Sequence, residues 1–118
     1  KEYFMLENIG HDGYQAGLDY MIGGNDNTSG IAIWHIDENQ SGNSDYSHKL
    51  VDLEEAADAG LDLGSHNGKQ TNLFFSGNKT EFSNSTNPNS KTYSGTSSGI
   101  TINNISAAGD SMTFDVSF

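Results

Sequence analysis

The amino-acid sequence predicts a mainly β fold, in the form of an antiparallel β-sandwich-like single domain over residues 1–118 with one short helix. Fourteen Gly against one Pro, with an apolar fraction of 33%, are typical of chains built from loops, turns and short strands. Residues 111–118 alternate polar and apolar side chains, which is the pattern of a strand with one buried face. A length of 118 residues suits one domain with a modest core.

Two strands and a loop are predicted in the first third of the chain. Residues 3–9 are aromatic and aliphatic on both faces and predict a largely buried strand, and residues 17–22 predict a short second one. Residues 23–30 contain only turn formers and predict an exposed loop. The apolar run at residues 31–36 is the strongest strand signal, so we expect it at the centre of a sheet.

Residues 50–59 predict a short helix that ends at Gly60. Its apolar positions recur at helical spacing: Leu50, Leu53, Ala57 and Leu61. A helix of about three turns is not stable alone, so we expect its leucine face to pack on the sheet.

The remaining elements are a brief buried strand, a long loop and a hairpin. Residues 73–75 predict the strand, and residues 76–96 form an Asn/Ser/Thr-rich connection that needs something to order it. Residues 100–105 and 111–118 predict a C-terminal antiparallel hairpin. Its buried face is expected to carry Met112, Phe114, Val116 and Phe118.

Composition excludes several classes of partner. A net charge of -11 opposes binding to nucleic acid and to anionic membranes, and no apolar run approaches the length of a membrane span. No cysteine is present, so disulfides do not stabilise the fold. The faces expected to be exposed are too polar for an obvious homodimer patch, which predicts a monomer. Because the chain starts inside strand-like sequence without a signal segment, we expect it to be a fragment of a larger secreted, extracellular protein.

The loop after the central strand has the pattern of half a calcium-binding loop. Asp37, Asn39 and Ser41 stand at alternate positions, as oxygen ligands do in an EF-hand, but His48 occupies the twelfth position, where that loop has Glu. Carboxylates from elsewhere would have to complete the site. The predicted calcium ligands are Asp37, Asn39, Glu55 and Asp58. The alternatives are a polar loop that binds no ion and a carboxylate run that forms the solvated face of the predicted helix.

The histidines do not form a zinc-hydrolase motif. None of His11, His35, His48 and His66 has another four residues away, so His-Glu-x-x-His is absent and zinc hydrolysis cannot be assigned to this chain. His35 lies inside the central strand, where we expect a core histidine that is hydrogen-bonded to the backbone.

Residues 95–99 match the Gly-x-Ser-x-Gly pattern of serine hydrolases around Ser97. That motif needs a strand before the serine and a helix after it, to expose the hydroxyl. Here a loop precedes and a strand is predicted to follow, so we interpret the segment as a turn.

Five segments carry a resemblance to a known family, namely residues 2–8, 30–38, 48–56, 73–77 and 88–95. The first two read Glu-Tyr-Phe-Met-Leu-Glu-Asn and Gly-Ile-Ala-Ile-Trp-His-Ile-Asp-Glu. Together and in this order, the five resemble the region downstream of the catalytic motif in M6 peptidases, the immune inhibitor A family. The resemblance implies a secreted zinc endopeptidase whose zinc-binding segment precedes Lys1. This chain would then be a non-catalytic part that packs against the upstream catalytic domain of the same chain.

A second function stays open on the residues alone. An acidic β-rich domain with several tyrosines also fits an independent calcium-dependent module that binds carbohydrate or a cell surface. Retention on a polysaccharide column would favour that alternative, whereas a zinc motif upstream in the same gene would favour the peptidase.

Overall fold

The computed structural model describes residues 1–10, 29–57, 60–64 and 68–118, and in these ranges five strands form two antiparallel sheets. The strands are β1 (Glu2–Ile9), β2 (Gly30–Asp37), β3 (Val51–Leu53), β4 (Thr101–Asn103) and β5 (Asp115–Ser117). The first sheet has the order β1-β2-β3 and the second pairs β4 with β5. A 3-10 helix spans Gln70–Asn72, and no helix within the described ranges is long and apolar enough to cross a bilayer. The β-rich fold is confirmed; the sandwich arrangement stays a prediction.

Strand β2 is the centre of the first sheet, as its apolar sequence predicts. Along its whole length it pairs with β1, where Phe4 lies opposite His35, and over three residues it pairs with β3, where His35 lies opposite Asp52. The predicted burial of β1 is wrong: along this strand only Ile9 is fully buried. Phe4 and Leu6 pack against the main core, whereas the alternate side chains of β1 point to the other face of the sheet and are exposed. The predicted strand at residues 17–22 lies outside the described residues.

The predicted helix at residues 50–59 is wrong, because its first residues form β3. Val51 and Leu53 point to one face of the sheet and Asp52 to the other, an alternation of period two. The Glu54 N–H continues the pairing by donating to the Ile33 carbonyl at 2.9 Å. Without β3, the backbone N–H and C=O groups on this side of β2 would lack strand partners. Pairing with them gives hydrogen bonds to more backbone groups of the segment than a short isolated helix does.

The main core lies on one face of the first sheet. It consists of Ile31, Ile33, Ala56, Phe74, Phe82, Ile102 and Ile105. Ile31 and Phe74 exchange two backbone hydrogen bonds of 2.9 Å, so the predicted strand at residues 73–75 is a single bridge that lies beside β2. Phe82 makes the same kind of bridge with Ile102 of β4. The first bridge joins residues 73–75 to β2 and the second joins the long loop to β4, and the Phe74 and Phe82 rings pack edge to face between them.

The long loop at residues 76–96 is ordered by its own short polar side chains. Thr86 Oγ1 donates to the carbonyls of Ser83 and Pro88, and the buried Ser90 hydroxyl donates to the Ile100 carbonyl at 2.7 Å. Side-chain bonds of this kind satisfy backbone groups that have no strand partner. The loop therefore holds residues 87–93 in place against the first sheet.

The C-terminal hairpin is confirmed, but its predicted buried face is wrong. β4 and β5 pair antiparallel, with Ile102 opposite Val116. Ile102 is buried and Met112 packs against the core, whereas Phe114 and Val116 are exposed and Phe118 is 95% exposed. Strand β5 forms the outer edge of a sheet of only two strands, so its alternation does not lead to burial.

Candidate functional site

His35 is the centre of a cluster in which polar side chains from four segments meet. Its side chain is 3% exposed and lies on the core-facing side of β2. Nδ1 is 2.9 Å from Glu54 Oε1, and Nε2 is 2.9 Å from Glu2 Oε1. Burial lowers the pKa of His35, but the hydrogen bonds and negative charges of Glu54 and Glu2 outweigh it, so the pKa is raised above 6.5. The expected backbone partner of this histidine is therefore replaced by two carboxylates.

Aromatic rings complete the cluster. The His35 ring stacks on Tyr93 with centroids 4.3 Å apart and planes 10° apart, and it contacts Phe4 at 4.4 Å. His48 packs on the same tyrosine at 4.2 Å. With two histidine rings packed on it, the Tyr93 ring is already engaged within the protein. The Tyr93 N–H donates to Glu2 Oε1 at 2.6 Å, which ties the loop to β1.

A second group of charges adjoins the histidine cluster through Asp52. The Lys49 ammonium donates to Asp52 at 2.6 Å and also to Asp62, and the Tyr93 hydroxyl lies 3.5 Å from Asp52. Burial raises the pKa of Asp52, with a further contribution from Asp62, although Lys49 opposes both. Burial also raises the pKa of the Tyr93 phenol well above its usual 10. The ammonium of Lys49 thus neutralises a site that would otherwise collect negative charge.

An open groove of about 320 Å³ lies above this cluster. The first sheet contributes His35, Asp52 and Glu54 to its wall, and the long loop contributes residues 87–93 except Ser90. A neighbouring groove of about 210 Å³ shares Asp52, Glu54 and residues 87–88 and extends to Glu55 and Asp62. The two grooves are lined mainly by polar and charged groups, so a ligand that fits them is polar.

The structure brings two of the predicted calcium ligands together, in a turn that uses their polar atoms internally. Asp37 is buried, and its Oδ1 accepts from the Asn39 N–H at 2.9 Å and from Asn39 Nδ2 at 2.8 Å. Its Oδ2 lies 2.7 Å from His48 Nε2. The Asn39 backbone N–H and the His48 ring hold the pKa of Asp37 below its usual value. Asn39 therefore presents its amide N–H, not its oxygen, to Asp37.

The other two predicted ligands do not join them among the described residues. Glu55 Oε1 accepts 3.0 Å hydrogen bonds from the Leu61 N–H and from Asn72 Nδ2, in a different network. Asp58 lies outside the described residues. Within the ranges that the structure describes, no three His, Asp or Glu side chains are arranged to hold a metal ion. The calcium site stays a prediction.

Ser97 lies in the setting that the sequence predicts. A turn at residues 93–95 precedes it and β4 follows, so there is no strand–serine–helix elbow. Ser97 Oγ accepts from Asn84 Nδ2 at 2.5 Å and from the Gly99 N–H at 3.2 Å. These contacts fit a hydroxyl that stabilises a loop. His11 and His66 lie outside the described residues.

Sequence reasoning missed most of this cluster, namely Glu2, Lys49, Asp52, Glu54 and Tyr93. One signal was available. Read as a strand, the run Val-Asp-Leu-Glu at residues 51–54 places both carboxylates on one face, and the neighbouring strand places His35 on that same face.

Comparisons with protein-family models, with curated proteins and with solved structures found no match to this chain.

Proposed function

We propose that this chain is a non-catalytic, β-rich segment of a secreted M6-like zinc metallopeptidase, in which it supports the protease domain. The zinc of such an enzyme would be bound by a His-Glu-x-x-His segment that precedes Lys1. The partner of this chain would be that upstream domain.

The observation that carries the proposal is that all five resembling segments meet in one place. Residues 2–8, 30–38 and 48–56 supply β1, β2 and β3 of one sheet. The segment at residues 73–77 bridges to β2 through Phe74, and the segment at residues 88–95 places Tyr93 on His35. Chance matches in a chain rich in Asn, Ser and Gly would have no reason to converge on one cluster.

A supporting role fits the chemistry of the cluster better than catalysis does. Both ring nitrogens of His35 are engaged by carboxylates, and its ring is enclosed by Phe4 and Tyr93. A general base needs a ring nitrogen within reach of a substrate proton. The His35 cluster instead joins β1, β2, the end of β3 and the long loop through charge-assisted contacts.

The first test is the sequence of the parent gene upstream of Lys1, where a His-Glu-x-x-His segment is expected.

Glu54→Gln in the parent enzyme should then shorten its half-life on heating without lowering kcat at low temperature, because one of the two anions at His35 is lost. Glu81→Gln is the matched control, since Glu81 is exposed and its contact is a local hydrogen bond from Ser83. A loss of kcat with unchanged heat stability would place the cluster in catalysis and contradict the proposal.

The second candidate is an independent calcium-dependent module that binds carbohydrate or a cell surface. The polar groove of about 320 Å³ favours it, because Asn87, Asn89 and Thr92 present groups that hydrogen-bond sugar hydroxyls. Retention of the chain on a polysaccharide column, lost in Asn89→Ala, would support this candidate. Failure of the chain to bind the column would contradict this candidate and leave the peptidase proposal standing.

A further inference from the structure

The first sheet is apolar on the face that points away from the main core. Two complete cross-strand rows lie on this face: Tyr3, Ile36 and Val51 in one, and Met5, Trp34 and Leu53 in the other. We refer to these six side chains as the outer apolar face. Near one end of it, a second small cluster of Ile9, Ala32 and Leu73 packs against Trp34 and Leu53.

The rest of the outer apolar face is accessible. Met5 is 50% exposed, and Tyr3 and Val51 are each 36% exposed. Antiparallel sheets that face water on one side carry polar side chains there. Glu7, which accepts from Trp34 Nε1 at 3.1 Å, does not break either apolar row. A contiguous apolar surface of this kind is typical of an interaction site.

We infer that the outer apolar face docks on the protease domain of the parent peptidase, an inference that rests on the proposed function. The required partner surface is apolar at its centre and carries Lys or Arg at its margin. A second copy of this chain does not meet that description, because each copy has a net charge of -11 and the two would repel.

The position of Lys1 supports the same partner. The Lys1 carbonyl accepts from the Glu38 N–H at 2.8 Å, which places Lys1 beside the row of Tyr3, Ile36 and Val51. A domain joined to Lys1 therefore starts at the margin of the outer apolar face. The Glu38 side chain lies at the same margin and its carboxylate is half-exposed. A basic residue of the docked domain would pair with this carboxylate.

The test is photo-cross-linking in the full-length parent protein with p-benzoylphenylalanine in place of Met5. The matched control carries it in place of Tyr46, which is 70% exposed and lies outside the sheet. We expect a cross-link from position 5 to a peptide of the protease domain, and no such cross-link from position 46. A covalent dimer, or equal yields at the two positions, would overturn the inference.

A charge variant provides a second measurement. Met5→Lys in the parent should separate the unfolding of this segment from that of the protease domain and give two calorimetric transitions in place of one, because an ammonium enters an apolar contact. A single unchanged transition would contradict docking. Lack of a zinc motif upstream would reject the proposed function itself, whereas a zinc motif without the cross-link would reject only this docking face.

Discussion

At His35 a carboxylate lies at each ring nitrogen, whereas a neutral imidazole carries a single N–H. Only the imidazolium donates to both Glu2 and Glu54. The protonated form is therefore the one for which this part of the fold is built. Sequence reasoning identified a core histidine in the central strand but not its partners, because these lie 33 and 19 residues away along the chain.

We predict that NMR titration of the His35 ring gives a pKa above 6.5 and that Glu54→Gln lowers this pKa. The variant keeps the size of the side chain and removes one of the two negative charges that favour the imidazolium. Glu81→Gln, at an exposed position, should leave the titration unchanged. A His35 pKa at or below 6.5 in the unmodified chain would contradict the paired-carboxylate geometry.

The same shift predicts how stability depends on pH. The folded pKa of His35 is raised above its unfolded value of about 6.5, so its contribution is complete below pH 6.5 and is lost as the pH rises through the folded pKa. Urea unfolding should therefore show a stability loss on the alkaline side that is smaller in Glu54→Gln. At pH 6 this variant should lower the free energy of unfolding by about 1.5–3 kcal/mol, the range for a hydrogen bond to a charged group.

At the scale of elements, the local apolar pattern predicted where strands form better than which of their side chains are buried. The run at residues 31–36 has few polar residues and does form the central strand, and the C-terminal alternation does form a hairpin. Residues 50–54 fit both a helical and an alternating pattern. Pairing with β2, which no local pattern reveals, stabilises the strand over the helix.

Gly30 shows how tightly β2 approaches residues 73–75. Its φ is +153°, and a Cβ placed there would lie 2.9 Å from Leu73 Cβ and 3.2 Å from the Phe74 carbonyl oxygen. We predict that Gly30→Ala lowers the free energy of unfolding by about 2 kcal/mol, through backbone strain and this collision.

The matched control is Gly42→Ala, because a Cβ at Gly42 would have no atom within 4 Å and its φ is not in the positive region. Urea unfolding of the two variants makes the comparison, and Gly42→Ala should stay within about 0.5 kcal/mol of the unmodified chain. Equal effects of the two substitutions would show that residues 73–75 do not pack against β2 at this point.

The corrected C-terminal strand gives a comparison of two phenylalanines. Phe82 is completely buried and joins the loop to β4, whereas Phe118 is 95% exposed. We predict that Phe82→Ala lowers the free energy of unfolding by about 3–5 kcal/mol, and that Phe118→Ala changes it by less than about 0.5 kcal/mol. A large loss in the free energy of unfolding on Phe118→Ala, measured by chemical denaturation, would show that Phe118 is buried, as the alternating sequence predicted.

At the scale of the whole molecule, the chain contains sixteen Asp and Glu residues but only five lysines and no arginine. Lys49 is held between two of those carboxylates and His35 between two others, so several of the favourable charge contacts lie beside the sheet. The net charge of -11 leaves an excess of negative charge that repels itself. Added salt should therefore stabilise the fold by screening alone, and any specific effect of an ion has to exceed that background.

The calcium hypothesis predicts such an excess. An ion bound only by the folded chain raises the melting temperature by linkage, so millimolar calcium should raise it above the value in EDTA and above the value in magnesium at equal ionic strength. Calcium at Asp37 has to displace His48, which lies 2.7 Å from Oδ2, so the NMR signals of the His48 ring should shift as well. Asp37→Asn should abolish both effects. Asp45→Asn, which removes one charge from the same loop, should leave both in place. Equal responses to calcium and magnesium would assign the stabilisation to screening and leave Asp37 and Asn39 as a turn that binds its own backbone.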